Sequence, residues 1–233
     1  MAPLQPAAPN AARPPASWRR QQLVRLRAEG WAGVLAAPWD DEARDCLALW
    51  ARRGLPLVVT RQPASQADVL ATGLPAPASH RRRRLAVAVA SRDVLLAGEF
   101  PEAAAATHQL PPALAPAWHA LLEALAADGC TARVYGGHGW QVLTGLAYVH
   151  PASDLDLLLP VRSAAQADAV SRGLAHAQEQ GWSGPRLDGE LLFEQGAAVA
   201  WREWRAYREG RTAQVLVKRL HGVALEIFQP EAA

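Results

Sequence analysis

The sequence predicts a mixed α/β (α+β) fold: a mixed sheet with helices, preceded by a smaller mixed N-terminal domain. Three observations carry this. Strand-like and helix-like segments alternate in the C-terminal half, as "ARVYG", "GWQVLTGLAY", "DLDLLLPV" and "SAAQADAVSRGLAHAQEQGW" follow one another, the rhythm of helices laid on a sheet. Half of the 233 residues are hydrophobic, enough for a sizeable core and too many for a wholly disordered chain. No internal repeat is visible, and no apolar run approaches the ~20 residues needed to span a bilayer.

Taken in order, the Pro- and Ala-rich start "MAPLQPAAPNAARPPAS" reads as a disordered leader over residues 1–17, too weakly hydrophobic for a signal peptide. "SWRRQQLVRLRAEGW" reads as a short helix that Gly30 ends, and "WDDEARDCLALWARRGLP" as a stronger one. In the second, Asp40 or Asp41 can cap the start, Arg52 and Arg53 fill the last turn, and Gly54 follows. "LPLVVTR", "RRLAVAVA" and "DVLLAGEF" read as strands, and "ATGLPAPASH" as a loop broken by Pro and Gly. These make an N-terminal domain of residues 18–106. From 107 to 233 come a helix closed by Gly129, a strand, the helix "GWQVLTGLAY", the turn "VHPAS", the strand "DLDLLLPV", a long helix capped by Ser163, and further strands ending in "QVLVKRLHGVALEIF".

Composition excludes several classes. A formal net charge of +2 is too small for a nucleic-acid-binding surface. Cys46 and Cys130 fit no metal-ligand spacing and, without an export signal, are read as free thiols. The expected setting is the cytoplasm, with no membrane partner. Arginine supplies almost all the positive charge, and Lys218 is the single lysine.

Two motifs carry chemistry. In the strand "SDLDLLLP", Asp154 and Asp156 lie two residues apart and project to one side. Two such carboxylates repel unless a cation or proton intervenes, and Mg²⁺ prefers one or two hard carboxylate ligands completed by substrate phosphates. In "VYGGHGW", Gly136 and Gly137 lie between a strand and a helix start, where free N–H groups and the helix dipole favour an anion. The spacing fits neither a dinucleotide fingerprint, a Walker loop nor a nucleophile elbow. A later carboxylate can come from Asp188 or Glu190, which share a strand face, with Glu226 a poorer candidate. The run "HRRRR" (80–84) is the strongest basic patch, and it leaves open which arginine meets a ligand. Lys218 suits a phosphate contact or a solvated strand end equally. His138 sits in the glycine turn, whereas His150, His221, Trp140, Trp201 and Trp204 read as structural.

Glycine turn, helix, then Asp-x-Asp strand resembles the nucleotidyltransferase superfamily. The longer stretch "VYGGHGWQVLTGLAYVHPASDLDLLLPV", with "DGE", "AWREW" and "VLVKRLHGVAL", resembles the holo-acyl-carrier-protein synthases of malonate decarboxylase, the phosphoribosyl-dephospho-CoA transferases. These motifs cover roughly residues 130 to 226; the N-terminal part is similar mainly through "GLPLVVTR" and "GLPAPASHRRRRLAVAV".

The resemblance implies a nucleotidyltransferase-type sheet over 107–233. It also implies transfer of a phosphoribosyl-dephospho-CoA group from 2'-(5''-triphosphoribosyl)-3'-dephospho-CoA to a serine of the decarboxylase's acyl-carrier subunit, with release of pyrophosphate. Asp154 and Asp156 would then hold Mg²⁺ or Mn²⁺, and Asp188 or Glu190 would complete the site. Gly136 and Gly137 would cradle pyrophosphate, Lys218 would contact phosphate, and Arg83 and Arg84 would contact substrate. The family commonly has serine after the first glycine, so Gly137 removes a hydroxyl contact. Two alternatives stand beside this: another nucleotidyltransferase moving a group such as AMP, and a non-catalytic nucleotide or carrier-protein binding module.

Overall fold

The computed structural model describes residues 17–63 and 68–229; the expected leader lies, Ser17 aside, outside them. The chain divides into two compact units, Met1–Phe100 with Leu143–Tyr148, and Pro101–Val142 with Val149–Ala233. Each is a mixed α/β arrangement, as the sequence predicts.

The first unit holds β1 (Leu23–Leu26), α1 (Ala28–Ala36), α2 (Asp41–Arg53), β2 (Leu57–Val59), β3 (Val69–Pro75), β4 (Arg84–Ala90) and β5 (Val94–Gly98). Its five strands run antiparallel in the order β4-β3-β2-β1-β5. Helix α2 is specified by its ends. The Asp40 carboxylate accepts from the Ala43 N–H at 2.9 Å, and Gly54 closes the helix in the left-handed region at φ 57°. Between these ends Ala43, Cys46, Leu47 and Trp50 are buried on one face.

Two expectations fail here. The helix expected at 17–31 is strand β1 followed by α1, with Gly30 inside α1. Leu23, Val24 and Leu26 are buried, and β1 pairs with both β2 and β5, so sheet pairing overrides a weak helical reading. The loop expected over "ATGLPAPASH" is β3 through Pro75, hydrogen-bonded in register with β4 from Val69 to Pro75; a 3₁₀ turn follows at Ala78–His80. The 143–148 stretch joins this unit through concrete bonds: the Tyr148 hydroxyl donates to the Pro75 carbonyl at 2.8 Å, and the Ala78 N–H to the Ala147 carbonyl at 2.9 Å.

The second unit contains α3 (Ala115–Ala127), β6 (Arg133–Val134), α4 (Gly136–Thr144, whose last two residues belong to the 143–148 stretch), β7 (Leu155–Val161), α5 (Ala164–Glu179), β8 (Leu187–Phe193), β9 (Ala198–Ala200), α6 (Trp201–Arg208), β10 (Val215–Lys218) and β11 (Val223–Glu226). The sheet order is β11-β10-β9-β8-β7-β6, and only β7 and β8 run parallel. Helix α5 is the crossover that a parallel pair requires. The Ser163 hydroxyl caps it, accepting from the Gln166 N–H at 3.2 Å. Leu155, Leu157 and Leu159 of β7 are buried with Val170 and Leu174 of α5, Leu125 of α3 and Trp204 of α6. Burying each such side chain contributes roughly 1.5–3 kcal/mol, which anchors β7 and fixes where its polar residues emerge. Cys46 and Cys130 are both buried and free.

Candidate active site

The parallel register of β7 and β8 builds the site. Leu155 pairs with Leu187 and Asp156 with Asp188. One step earlier, the Leu155 N–H donates to the Arg186 carbonyl at 2.9 Å. Asp154 and Asp156 therefore lie beside Arg186 and Asp188 on the face opposite buried Leu155 and Leu157. The turn before β7 is closed by the Ser153 N–H on the His150 carbonyl at 2.8 Å and by the His150 N–H on the Ser153 hydroxyl at 3.0 Å, which sets Asp154 at the strand's mouth.

Arginines sit among the acids. Arg186 grips Asp154 with two bonds, Nε to Oδ1 at 3.1 Å and Nη2 to Oδ2 at 2.6 Å, and Nη2 also reaches Asp188 Oδ2 at 3.4 Å. Arg202 lies 3.6 Å from Asp188 Oδ1, its guanidinium 4.4 Å from the Trp201 ring centroid and its Nη2 on Gln178 Oε1 at 3.4 Å. The Arg186 bonds hold the Asp154 carboxyl below its ordinary value. Asp156 goes the other way. Burial first, then the charges of Asp188 and Asp154, push its carboxyl up to about 6.

Glu190 and Lys218 form a part-buried pair. Lys218 Nζ lies 2.6 Å from Glu190 Oε1, and the glutamate side chain is only 7% exposed. Its other oxygen, Oε2, is buried without a partner. Lys218 is thus not a solvated strand end, its ammonium being bonded to Glu190. Four carboxylates (Asp154, Asp156, Asp188, Glu190) face three cations (Arg186, Arg202, Lys218), and Asp156 is the one with no cation bonded to it.

Helix α4 starts at Gly136, so the glycines form its first turn and not a loop before it. Its first intrahelical bond runs from the Gly139 N–H to the Tyr135 carbonyl at 3.0 Å, so the earlier N–H groups have no acceptor within the helix. The Tyr135 N–H is tied to the Asp156 carbonyl at 3.0 Å, which docks this helix start on β7. Gly136 is obligatory: it adopts φ +58°, and a Cβ there would stand 1.9 Å from Asp156 Oδ2. A Cβ on Gly137 would meet nothing within 4 Å. The glycine turn and the Asp-x-Asp strand thus meet at one carboxylate. His138 is buried and turned away from solvent, its Nδ1 3.0 Å from Gln109 Oε1 and its Nε2 without a partner. Burial lowers its pKa.

Arg83 and Arg84 belong to the first unit, where Arg83 makes two 2.7 Å bonds to Asp40 and Arg84 is exposed. Glu226 lies on edge strand β11 and bonds Arg219. Trp140, Trp201 and Trp204 are all buried. Arg186 and Arg202 escaped the sequence reading. The signal for Arg186 was present, because aligning "PRLDGE" with "SDLDLL" in parallel register sets Arg186 beside Asp154.

Among the described residues no group of three or more His, Cys, Asp or Glu side chains is arranged to hold a metal ion. The site nevertheless suits a divalent cation bound through few protein ligands. The Asp156 carboxylate is crowded by like charge and, among the described residues, has no hydrogen-bonding partner, and Asp154 lies beside it with hard oxygens.

Acids at the mouths of β7 and β8, two arginines and the start of α4 thus lie together. Comparison with known proteins gives the family. Residues 19–100 match the N-terminal domain of the phosphoribosyl-dephospho-CoA transferase MdcG, and residues 95–227 its C-terminal domain. The chain is 39% identical over 201 residues to the phosphoribosyl-dephospho-CoA transferase of Xanthomonas euvesicatoria pv. vesicatoria, covering 85% of this chain and 89% of that protein. It is 36% identical over 214 residues to that of Bradyrhizobium diazoefficiens, covering 91% and 90%. With that of Pseudomonas aeruginosa it shares 36% identity over 186 residues, covering 74% and 77%. No solved structure matches. The chain belongs to the phosphoribosyl-dephospho-CoA transferase family and is a transferase. Among the described residues, no helix is long and apolar enough to cross a membrane.

Proposed function

We propose that this chain transfers the phosphoribosyl-dephospho-CoA group from 2'-(5''-triphosphoribosyl)-3'-dephospho-CoA to a serine of the malonate decarboxylase acyl-carrier subunit, in the cytoplasm. The serine Oγ attacks the phosphorus attached to the ribose. A new O–P bond forms, the bond from that phosphorus to the bridging oxygen breaks, and pyrophosphate leaves. The observation that carries this reading is the meeting of the α4 start with Asp156, where Gly136 lets the helix backbone lie directly against the carboxylate. Donors for phosphate oxygens and an acid needing a cation are thereby side by side.

A divalent ion, Mg²⁺ or Mn²⁺, held by Asp154 and Asp156 would neutralise charge on the donor's phosphates. The first-turn N–H groups of α4, from Gly137 onward, hold the departing pyrophosphate. Asp188 takes the serine proton: its side chain is 37% exposed, whereas Glu190 is buried on Lys218. Arg202, steadied on Trp201, keeps Asp188 oriented.

The test is the mass of the carrier subunit after incubation with protein, Mg²⁺ and donor. A phosphoribosyl-dephospho-CoA adduct on the serine is expected. An AMP adduct formed from ATP, with indifference to the CoA donor, would overturn the assignment.

A further inference from the structure

We propose that Arg186 is the resident counter-cation of this acidic cluster, released from Asp154 when donor and divalent ion bind, and that its guanidinium then grips the donor's phosphates. This rests on the function proposed above. The grounds lie in how differently the three cations of the cluster are held. Lys218 is bonded to a carboxylate only 7% exposed, so removing it would strand a buried charge. Arg202 is stacked on Trp201 and shared between Asp188 and Gln178. Arg186 alone is largely in solvent, its side chain 60% exposed, and its bonds are to acids that are themselves over one-third exposed. Such a pair is weak and exchanges at little cost.

Its position suits the exchange. Arg186 covers Asp154 with both arms of its fork and leans toward Asp188, so it satisfies the acids that would otherwise repel one another around Asp156. A carboxylate and a phosphate present the same paired oxygens to a guanidinium. When Asp154 turns to a divalent ion, the freed fork has phosphate oxygens to take in its place. Arg186 is therefore a positioning and substrate-binding residue, and it competes with the ion in the absence of donor.

The competition is measurable without turnover. Mn²⁺ binding, followed by electron paramagnetic resonance with no donor present, should be about threefold or more tighter in Arg186→Gln than in wild type. In the transfer assay the same variant should show a donor KM raised about tenfold or more, with kcat less affected. Arg186→Lys, which keeps the charge and loses the fork, should recover part of the KM and lie between the two in Mn²⁺ affinity. If wild type binds Mn²⁺ and forms the adduct but Arg186→Gln binds the ion no tighter, or donor KM does not move, the role of Arg186 is overturned while the transferase reading stands. If wild type neither binds Mn²⁺ nor modifies the carrier, the underlying reading falls and this proposal with it.

Discussion

Two arginine–aspartate clusters in this chain look alike and behave oppositely. At the start of α2, Arg83 bonds both oxygens of Asp40 while the Ala43 N–H donates to the same carboxylate. Arg83 also lies 3.6 Å from Glu42, and the Asp40 carboxyl falls well below the usual carboxylate range, the Arg83 hydrogen bonds being the largest cause. At the mouth of β7, Arg186 bonds both oxygens of Asp154 in the same way, but Asp156 beside it is left over and is pushed up to about 6, mainly by burial. The first cluster caps a helix. The second leaves an acid whose ionised form is disfavoured by burial and by neighbouring carboxylates, the state on which the proposed metal site rests.

The comparison breaks most visibly in activity. Asp156→Ala should lower the transfer rate roughly hundredfold or more, with Asp154→Ala close behind, while Asp40→Ala leaves the rate near wild type. Rates measured by adduct formation within a few-fold of wild type for Asp156→Ala would remove the acid from the mechanism. Two glycines carry the contrast into stability. Gly54 and Gly136 have nearly the same φ, 57° and 58°, but a Cβ on Gly54 meets nothing and one on Gly136 meets Asp156 Oδ2 at 1.9 Å. Gly54→Ala should cost about 1 kcal/mol from backbone strain alone, and Gly136→Ala about 2–4 kcal/mol, compared by urea unfolding. Equal losses would mean that the α4 start does not press on the carboxylate.

Opposite pKa directions predict opposite pH dependences. For Asp40 the folded value lies below the unfolded one, so its contribution is full at neutral pH and is lost as pH falls below about 4. Asp40→Asn should therefore lower Tm at pH 7, and the deficit should shrink in acid. For Asp156 the folded value lies above the unfolded one, so ionisation weakens the fold as pH rises from about 4 through 6. Asp156→Asn, in buffer with a chelator, should raise Tm at pH 8 and lose that advantage near pH 4. A Tm series over pH for both variants tests the pair; the same sign in both would erase the distinction drawn here.

Where local chemistry decided structure, the sequence was legible. Asp40 and Gly54 bracket α2, Ser163 caps α5, and Asp156 lies on a strand, with Asp154 just before it, beside a glycine-led helix. What escaped was decided at a distance. "QQLVRLR" becomes a strand because β2 and β5 flank it, and "ATGLP" because β4 pairs along it. Arg186 lies 32 residues from Asp154 and reaches it only through the parallel register of β7 and β8. Lys218 meets Glu190 across 28 residues. Single-residue patterns report faces and caps, whereas ion pairing across a sheet needs the strand order and register first.

The smallest expected effect lies at Gly137, where resemblance to the family leads one to expect serine. This residue faces open space and lies in the first turn of α4. The neighbouring glycine is forced by Asp156, but this one is not. Gly137→Ser should fold normally, with stability unchanged or raised by up to about 0.5 kcal/mol, since serine loses less backbone entropy in a helix than glycine. Its hydroxyl would add one donor where the helix start meets phosphate, so the donor KM should fall a few-fold with kcat nearly constant. A rise in KM, with the fold intact by circular dichroism, would mean that the donor's phosphates need the space in front of Gly137 more than they need the hydroxyl. The helix start would then recognise phosphate through its backbone alone.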